Sequence, residues 1–501
     1  MFSANIYIER RKLLRTQVQS GLILFLGNRQ SPMNYADNHY PFRQDSSFLY
    51  FFGLDLADLA AVIDLDEARE CVFGDDLTVD DIIWTGPQPS LKEKCRKAGI
   101  SETAPSDKLQ EVLAKAEKQG RKIHFLPQYR TENILKIERL LPPVSAFAES
   151  TGAAAIHPAP IDRLRGSLSR FCLWTQSCAQ LVRGSETLIK AVVSQRSIKN
   201  KEEVEQIETA INISYQMQML AMKMSKPGVH EREVAGAMEA IALSRGSRLA
   251  FPTIFSINGQ TLHNHNYVNT MKQGDIAIND SGAESELHYA SDITRTIPVG
   301  GKFSQKQKEI YAIVLNAQEK AIDAVKPGVE FRAVHRLGCK ILASGLKDSG
   351  LMKGDIDEAV DSGAHTLFFP CGLGHMLGLD VHDMEALGED YVGYTDTIKR
   401  NPEFGWKSLR LAKALEPSFV ITVEPGIYFI PELIDRWKAE QKCSSSINYN
   451  AVEKYRDFGG IRIEDDVLVT QNGHRLLGRP IPKTIDEVEN SHEGTKTQRK
   501  I

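Results

Sequence analysis

The 501-residue chain carries 61 Lys and Arg against 65 Asp and Glu, with 42% hydrophobic and 25% charged residues. This is the composition of a soluble globular protein, and its net charge of −4 offers no cationic excess for binding nucleic acid or an anionic membrane. No apolar run approaches the roughly 20 residues of a membrane span, and the seven cysteines are odd in number with no C-x-x-C pair, so a reducing cytoplasm is the expected setting.

The N-terminus reaches Glu9-Arg10-Arg11-Lys12 before any apolar signal core could form. The length exceeds one ordinary core, so at least two domains are expected. Residues 1–198 read as a mixed α/β domain. Leu22-Ile-Leu-Phe-Leu-Gly27 predicts a buried strand closed by glycine. Leu59–Asp64 and Cys71–Gly74 flank a charged turn and predict a hairpin. Ile123–Pro127 predicts a later strand, and Pro142-Pro143 and 152–160 predict loops.

The second domain is read over 199–484. Asn200 and Glu203 form a capping-box pattern, after which Val204, Ile207 and Ile211 share one helical face. The helix is expected to run to about Met224 and stop at Pro227-Gly228. Lys226-Pro-Gly-Val-His-Glu-Arg-Glu-Val234 recurs as Lys326-Pro-Gly-Val-Glu-Phe-Arg-Ala-Val334. Each copy ends one helix and begins another, which predicts two similar halves with a site between them. Residues 485–501 are read as a polar tail, disordered from about Glu489.

Five segments of this domain deliver a carboxylate or histidine from a β-rich apolar run. They are Asp275–Asp280, Ser291–Thr296, Gly374–Asp383, Val420–Tyr428 and Gly459–Asp466. Asp280, Glu424 and Glu464 each end such a run, where an ionised carboxylate is costly unless paired or bound to a metal. Carboxylates facing one another repel, and two divalent cations would relieve the repulsion. Four carboxylates with one imidazole form a hard, oxygen-rich set that suits Mn²⁺, with Zn²⁺ or Co²⁺ as alternatives. A two-metal centre of that kind can activate a shared water for amide hydrolysis. Each acidic strand end taken singly is more often a surface turn or a helix cap. The joint pattern within one window favours a metal centre.

These motifs, D-I-T-R-T, G-H-x-x-G-L-D-V-H-D, T-V-E-P-G-I-Y and G-G-I-R-I-E-D-D, resemble the M24 metallopeptidases, in particular the aminopeptidase P and prolidase branch. Phe42–Tyr50 through Gly53 is similar to the N-terminal domain of the same branch. The resemblance implies an α/β (α+β) chain, with an N-terminal creatinase-like α/β domain before a pseudo-twofold pita-bread catalytic domain. It implies that Asp280 chelates one metal, that Asp292 and Glu464 bridge both, and that His375 and Glu424 complete the other shell. Glu424 is also implied as the proton acceptor from the attacking water. His263 and His382 fall at the substrate histidines, where they would steady the scissile carbonyl and the oxyanion, and Arg462 at a site-lining arginine. The expected substrates are Xaa-Pro peptides, and a homodimer is the expected assembly.

Two departures from the branch stand out. The connection from Asp280 to Asp292 is one residue longer than usual, which fits a bulge or longer hairpin loop. Cys371, four residues before His375, stands where the branch commonly has histidine. Arg410, fourteen residues before Glu424, resembles the prolidase arginine that meets a dipeptide's carboxylate, a geometry suited to bidentate recognition. The alternative for Arg410 is a solvated loop residue. Rival functions are a methionine-type aminopeptidase, a creatinase-type amidinohydrolase and a non-catalytic pita-bread peptide-binding protein. The long N-terminal domain and Arg410 oppose the first, and the complete ligand set opposes the other two.

Overall fold

In the computed structural model, which describes residues 1–141 and 184–492, the apolar run at Leu22 forms strand β1 (Leu22–Leu26), buried along its whole length. Successive side chains of a strand point to opposite faces, so both faces of β1 must be covered. Leu22, Leu24 and Leu26 meet Leu109, Leu113 and Ala116 of the helix Lys108–Lys118. On the other face the Phe25 ring lies 5.1 Å from Phe51 and 5.4 Å from Phe52 of the helix Ser46–Phe52. The predicted hairpin forms as β2 (Ala60–Asp64) and β3 (Arg69–Phe73). With β4 (Glu102–Ala104) and β5 (Ile123–Phe125) they make a five-stranded sheet of order β4-β3-β2-β1-β5. The loops expected around 142–143 and 152–160 lie outside the described residues.

This sheet belongs to the compact unit Met1–Gln195, and Arg196–Ile501 forms a second unit. The helix Lys201–Met224 opens on the predicted capping box: the Glu203 amide donates to Asn200 Oδ1 at 2.8 Å and the Asn200 amide to Glu203 Oε2 at 3.0 Å. Val204, Ile207 and Ile211 are buried beneath it. The helix pair Lys201–Met224 and Glu231–Ser244 is echoed by Gln305–Asp323 and Phe331–Asp348.

The two copies of the repeat sit in matching hydrogen-bond frames. The Gly228 amide donates to the Met271 carbonyl, and the Gly328 amide to that of Leu415. Met271 and Leu415 return bonds to Val229 and Val329. Both glycines hold a positive φ, 88° and 82°, which a residue with a Cβ adopts at a cost. The duplication read in the sequence is thus a structural one.

Beside the helix pairs lie two three-stranded sheets. One has the order β6-β7-β8 (Ile254–Ser256, Ile276–Ser281, Ile293–Pro298). The other joins β9 (Val420–Val423) to β12 (Asp465–Val469) and β13 (His474–Leu476), and the short ribbon β10 (Gly426–Tyr428) with β11 (Gly460–Arg462) continues nearby. This is the expected α/β architecture.

The expected start of the polar tail needs correction. Ile485–Ser491 is helical, capped by Thr484 in a capping box with Glu487. Val488 is buried, and Glu489 accepts from the Phe303 amide at 3.1 Å and pairs with Lys302 and Lys308. Polar composition concealed one apolar anchor and an acid with fixed partners. Among the described residues no helix is long and apolar enough to cross a membrane.

Candidate active site

Strand alternation decides which side chains of the motifs reach the site. Asp292 precedes β8, and Thr294 and Thr296 share its side of the strand. Thr294 Oγ1 donates to Glu464 Oε2 at 2.6 Å, and Thr296 Oγ1 to the Arg462 carbonyl at 3.0 Å. Arg295 points the other way, donating to Asp465 Oδ1 at 2.6 Å and to the Pro482 carbonyl at 2.9 Å. Ile293 packs in the core. The same alternation separates Glu464 and Asp466 from Asp465 between them. Asp466 Oδ2 accepts from the Asp292 amide at 3.1 Å, fixing the backbone that presents the Asp292 carboxylate.

A cavity of about 200 Å³ receives Asp280, Asp292, His375, Glu424 and Glu464, together with His263, His382, Arg462 and Cys371, between the apolar walls Phe251, Pro252, Ile254, Leu262 and Val381. Ligand atoms of Asp292, His375 and Glu464, all buried, lie within 4.8 Å of one another. His375 Nε2 is 3.5 Å from both Asp292 Oδ2 and Glu424 Oε1. Its Nδ1 donates to the Met376 carbonyl at 3.0 Å, and its amide donates to Thr422 Oγ1 at 3.1 Å. That is how a ligating imidazole is usually held, with one nitrogen on a carbonyl and the other turned to the ion. Arg462 reaches Asp280 Oδ2 at 2.6 Å, the Tyr428 hydroxyl at 2.7 Å and Thr294 Oγ1 at 3.1 Å.

The electrostatics mark the acids as undercompensated. Burial first, then the neighbouring carboxylates Asp280, Asp466 and Glu424, hold the Asp292 carboxyl well above the usual range. Burial, then Asp292, does the same to Glu464. Glu424 is also raised by burial, partly offset by His375. Asp280 Oδ1, Asp292 Oδ1 and Glu464 Oε1 are buried without a hydrogen-bond partner. Buried polar atoms are normally satisfied, and a cluster of orphaned carboxylate oxygens beside an oriented imidazole fits a divalent cation site.

His382 lies against His375, with ring centroids 4.4 Å apart, and loss of hydration brings its imidazole down to about 4. His263 stands at the exposed rim of the cavity. Loss of hydration pushes the Cys371 thiol up to about 12. Arg410 is not among the cavity-lining residues; its guanidinium meets Glu385 at 2.8 Å and also contacts Glu389.

Between Asp280 and Asp292 the pairing of β7 with β8 carries on to the bridge between Glu284 and Ala290, and the chain reverses in the turn Ser285–Tyr289. His288 takes a φ of 66° there, and its Nδ1 lies 2.6 Å from Glu284 Oε2. The register holds without a bulge, and Asp280 faces Thr294 across the ladder.

Residues 205–471 match metallopeptidase family M24, and residues 7–124 match the aminopeptidase P N-terminal domain. The chain is 30% identical to the human Xaa-Pro dipeptidase over 94% of its own length and 89% of that protein. It is equally 30% identical, with the same coverage, to a probable Xaa-Pro aminopeptidase of Uncinocarpus reesii. The structure of zinc-substituted E. coli aminopeptidase P in complex with product superposes with a TM-score of 0.76 at 27% identity, covering 99% of this chain and 100% of that one.

Proposed function

The chain belongs to metallopeptidase family M24, and from that premise we propose that it is an exopeptidase releasing the residue that precedes proline, from Xaa-Pro dipeptides and from longer peptides. The observation that carries this reading is the group of orphaned, buried carboxylate oxygens around His375. Asp280, Asp292, His375, Glu424 and Glu464 would hold two divalent ions, Mn²⁺ first among them. Such ions, when bound, polarise an amide carbonyl and make water a nucleophile at neutral pH.

The chain's own residues supply the rest. Glu424, raised by burial, takes the proton of the attacking water. His263 holds the scissile carbonyl oxygen as it gains negative charge, and His382 faces the substrate from the opposite side. Arg462 keeps Asp280 in place and lends the cavity a fixed positive charge. The unpaired Cys71, Cys95, Cys339, Cys371 and Cys443 support a cytoplasmic setting. The helix Val79–Thr85, with Val79 74%, Ile83 71% and Trp84 88% exposed, supports a homodimer.

Arg410 bears on substrate length, because we assign it the free carboxylate of a dipeptide. Such a charge-assisted contact contributes roughly 1.5–3 kcal/mol. Arg410→Ala should then lower kcat/KM on Ala-Pro by about 10–100-fold, and much less on Ala-Pro-amide or Ala-Pro-Ala. Equal losses on acid and amide would make Arg410 a loop support and favour the aminopeptidase reading. Product analysis on Ala-Pro beside Ala-Pro-Ala tests the activity itself, and failure to release alanine from either refutes it.

A further inference from the structure

Glu385 contributes nothing to the cavity wall, yet both of its carboxylate oxygens are committed. His382 Nδ1 donates to Oε2 at 2.7 Å, and Arg410 Nη1 meets Oε1 at 2.8 Å. A half-exposed ion pair of this kind adds little to stability, so the contact asks for another reason.

The loop is built to make that contact. Asp383, buried beside Lys199 Nζ at 2.8 Å and Arg196 Nη2 at 2.7 Å, pins it from behind. The Met384 amide donates to Asp380 Oδ2 at 3.3 Å. Met384, itself buried, takes a φ of 63°, a left-handed conformation that a non-glycine residue keeps only where its surroundings impose it. The reversal lets the Glu385 amide donate to the His382 carbonyl at 3.1 Å and turns the Glu385 side chain back onto the imidazole.

We infer that Glu385 is a positioning residue: its carboxylate fixes the His382 ring through Nδ1, so that Nε2 is the nitrogen presented to substrate. An imidazole without such a partner can exchange its two nitrogens by rotating about the Cβ–Cγ bond, and the nitrogen it presents is set by the bond the other makes. The inference rests on the assignment of His382 to the substrate.

The test is steady-state turnover of Ala-Pro-Ala by metal-loaded wild type, E385A, E385Q, H382A and the double variant E385A/H382A. E385A should lower kcat by about 10–100-fold, the range for outer partners of site residues, with KM nearly unchanged. E385Q keeps an acceptor oxygen for Nδ1–H and should recover most of the loss. Because Glu385 acts through His382, the double variant should be no slower than H382A alone. Elemental analysis should find unchanged metal in each. Wild-type kcat in E385A, or losses that multiply in the double variant, overturn the inference. If E385A does not fold, E385Q/H382A decides by the same rule: a rate equal to that of H382A supports the inference, and a further loss overturns it. Wild-type turnover by H382A would remove the role of His382, and this inference with it. Impaired H382A beside unimpaired E385A would remove this inference alone.

Discussion

Glu464 and Asp465 are neighbours in the chain and opposites in environment. Asp465 is ringed by Arg295 Nη2 at 2.6 Å, Gln318 Nε2 at 2.8 Å and Lys483 Nζ at 2.9 Å, and Arg295 and Lys483 help hold its carboxyl below the usual range against burial. Glu464, facing the cavity, meets other acids and is pushed well above that range by burial and by Asp292. Asp383 repeats the first pattern, with Lys199 and Arg196 as its cations, and Asp292 repeats the second. The fold can satisfy a buried acid beside the cavity with cations, and does so at Asp465 and Asp383. Asp466 is also buried and raised, and spends one oxygen on the Asp292 amide; the unsatisfied acids that face one another around His375 are the ones we assign to a cation from outside.

The largest effect expected from this contrast is on activity. Glu464→Ala or Asp292→Ala should abolish turnover and lower bound metal while the N-terminal unit stays folded, as read by elemental analysis and circular dichroism. Full metal content in either variant would break the distinction. Asp465→Ala strikes the other side of the comparison. It strands the buried Arg295 guanidinium, 1% exposed, and should destabilise by about 3–5 kcal/mol in denaturant unfolding, far more than Glu464→Ala does in metal-free protein.

The histidines sharpen the contrast further, because they line the cavity without belonging to the acid cluster. Alanine at His263 or His382 should lower kcat by about 10²–10³-fold, the scale of a lost oxyanion donor, with metal content near that of wild type. Loss of metal would move that histidine into the ligand set.

The smallest effect is a pH slope whose sign differs between the two groups of acids. Asp292 and Glu464 have folded values above those of the unfolded chain, so the folded state binds more protons than the unfolded one. Their contribution is present below about pH 4 and lost as pH rises through the raised values. Asp465 and Asp383 contribute above about pH 4, and their contribution is lost as pH falls through the lowered values. Metal-free protein should accordingly lose thermal stability from pH 5 to pH 8, and saturating Mn²⁺ should flatten that slope. A slope unchanged by metal would contradict the assignment.

Much of the cavity was legible because each motif carboxylate stands at one end of an apolar run, and alternation along a strand carries it to a defined face. Asp280, Asp292, Glu424 and Glu464 could be read in this way, as could the capping box at Asn200 and the duplicated Pro-Gly turns. The supporting residues were less legible. The hold of Thr294 on Glu464 and of Asp466 on the Asp292 amide follows from alternation within motifs already noticed, so that signal was present. The contact of Glu385 with His382 depends on the left-handed turn at Met384, and nothing in a Met-Glu pair announces one. The engagement of Arg410 by Glu385 and Glu389 depends on a loop closing over a separate segment, which spacing along the chain does not encode. The helix Ile485–Ser491 was hidden because its polar residues outnumber the single buried valine that docks it.

Turnover by protein stripped of metal tests the proposed metal centre most directly. Chelator-treated enzyme should release no alanine from Ala-Pro or Ala-Pro-Ala, and activity should return with added Mn²⁺, saturating near two ions per chain. Full turnover by rigorously metal-free protein would contradict it.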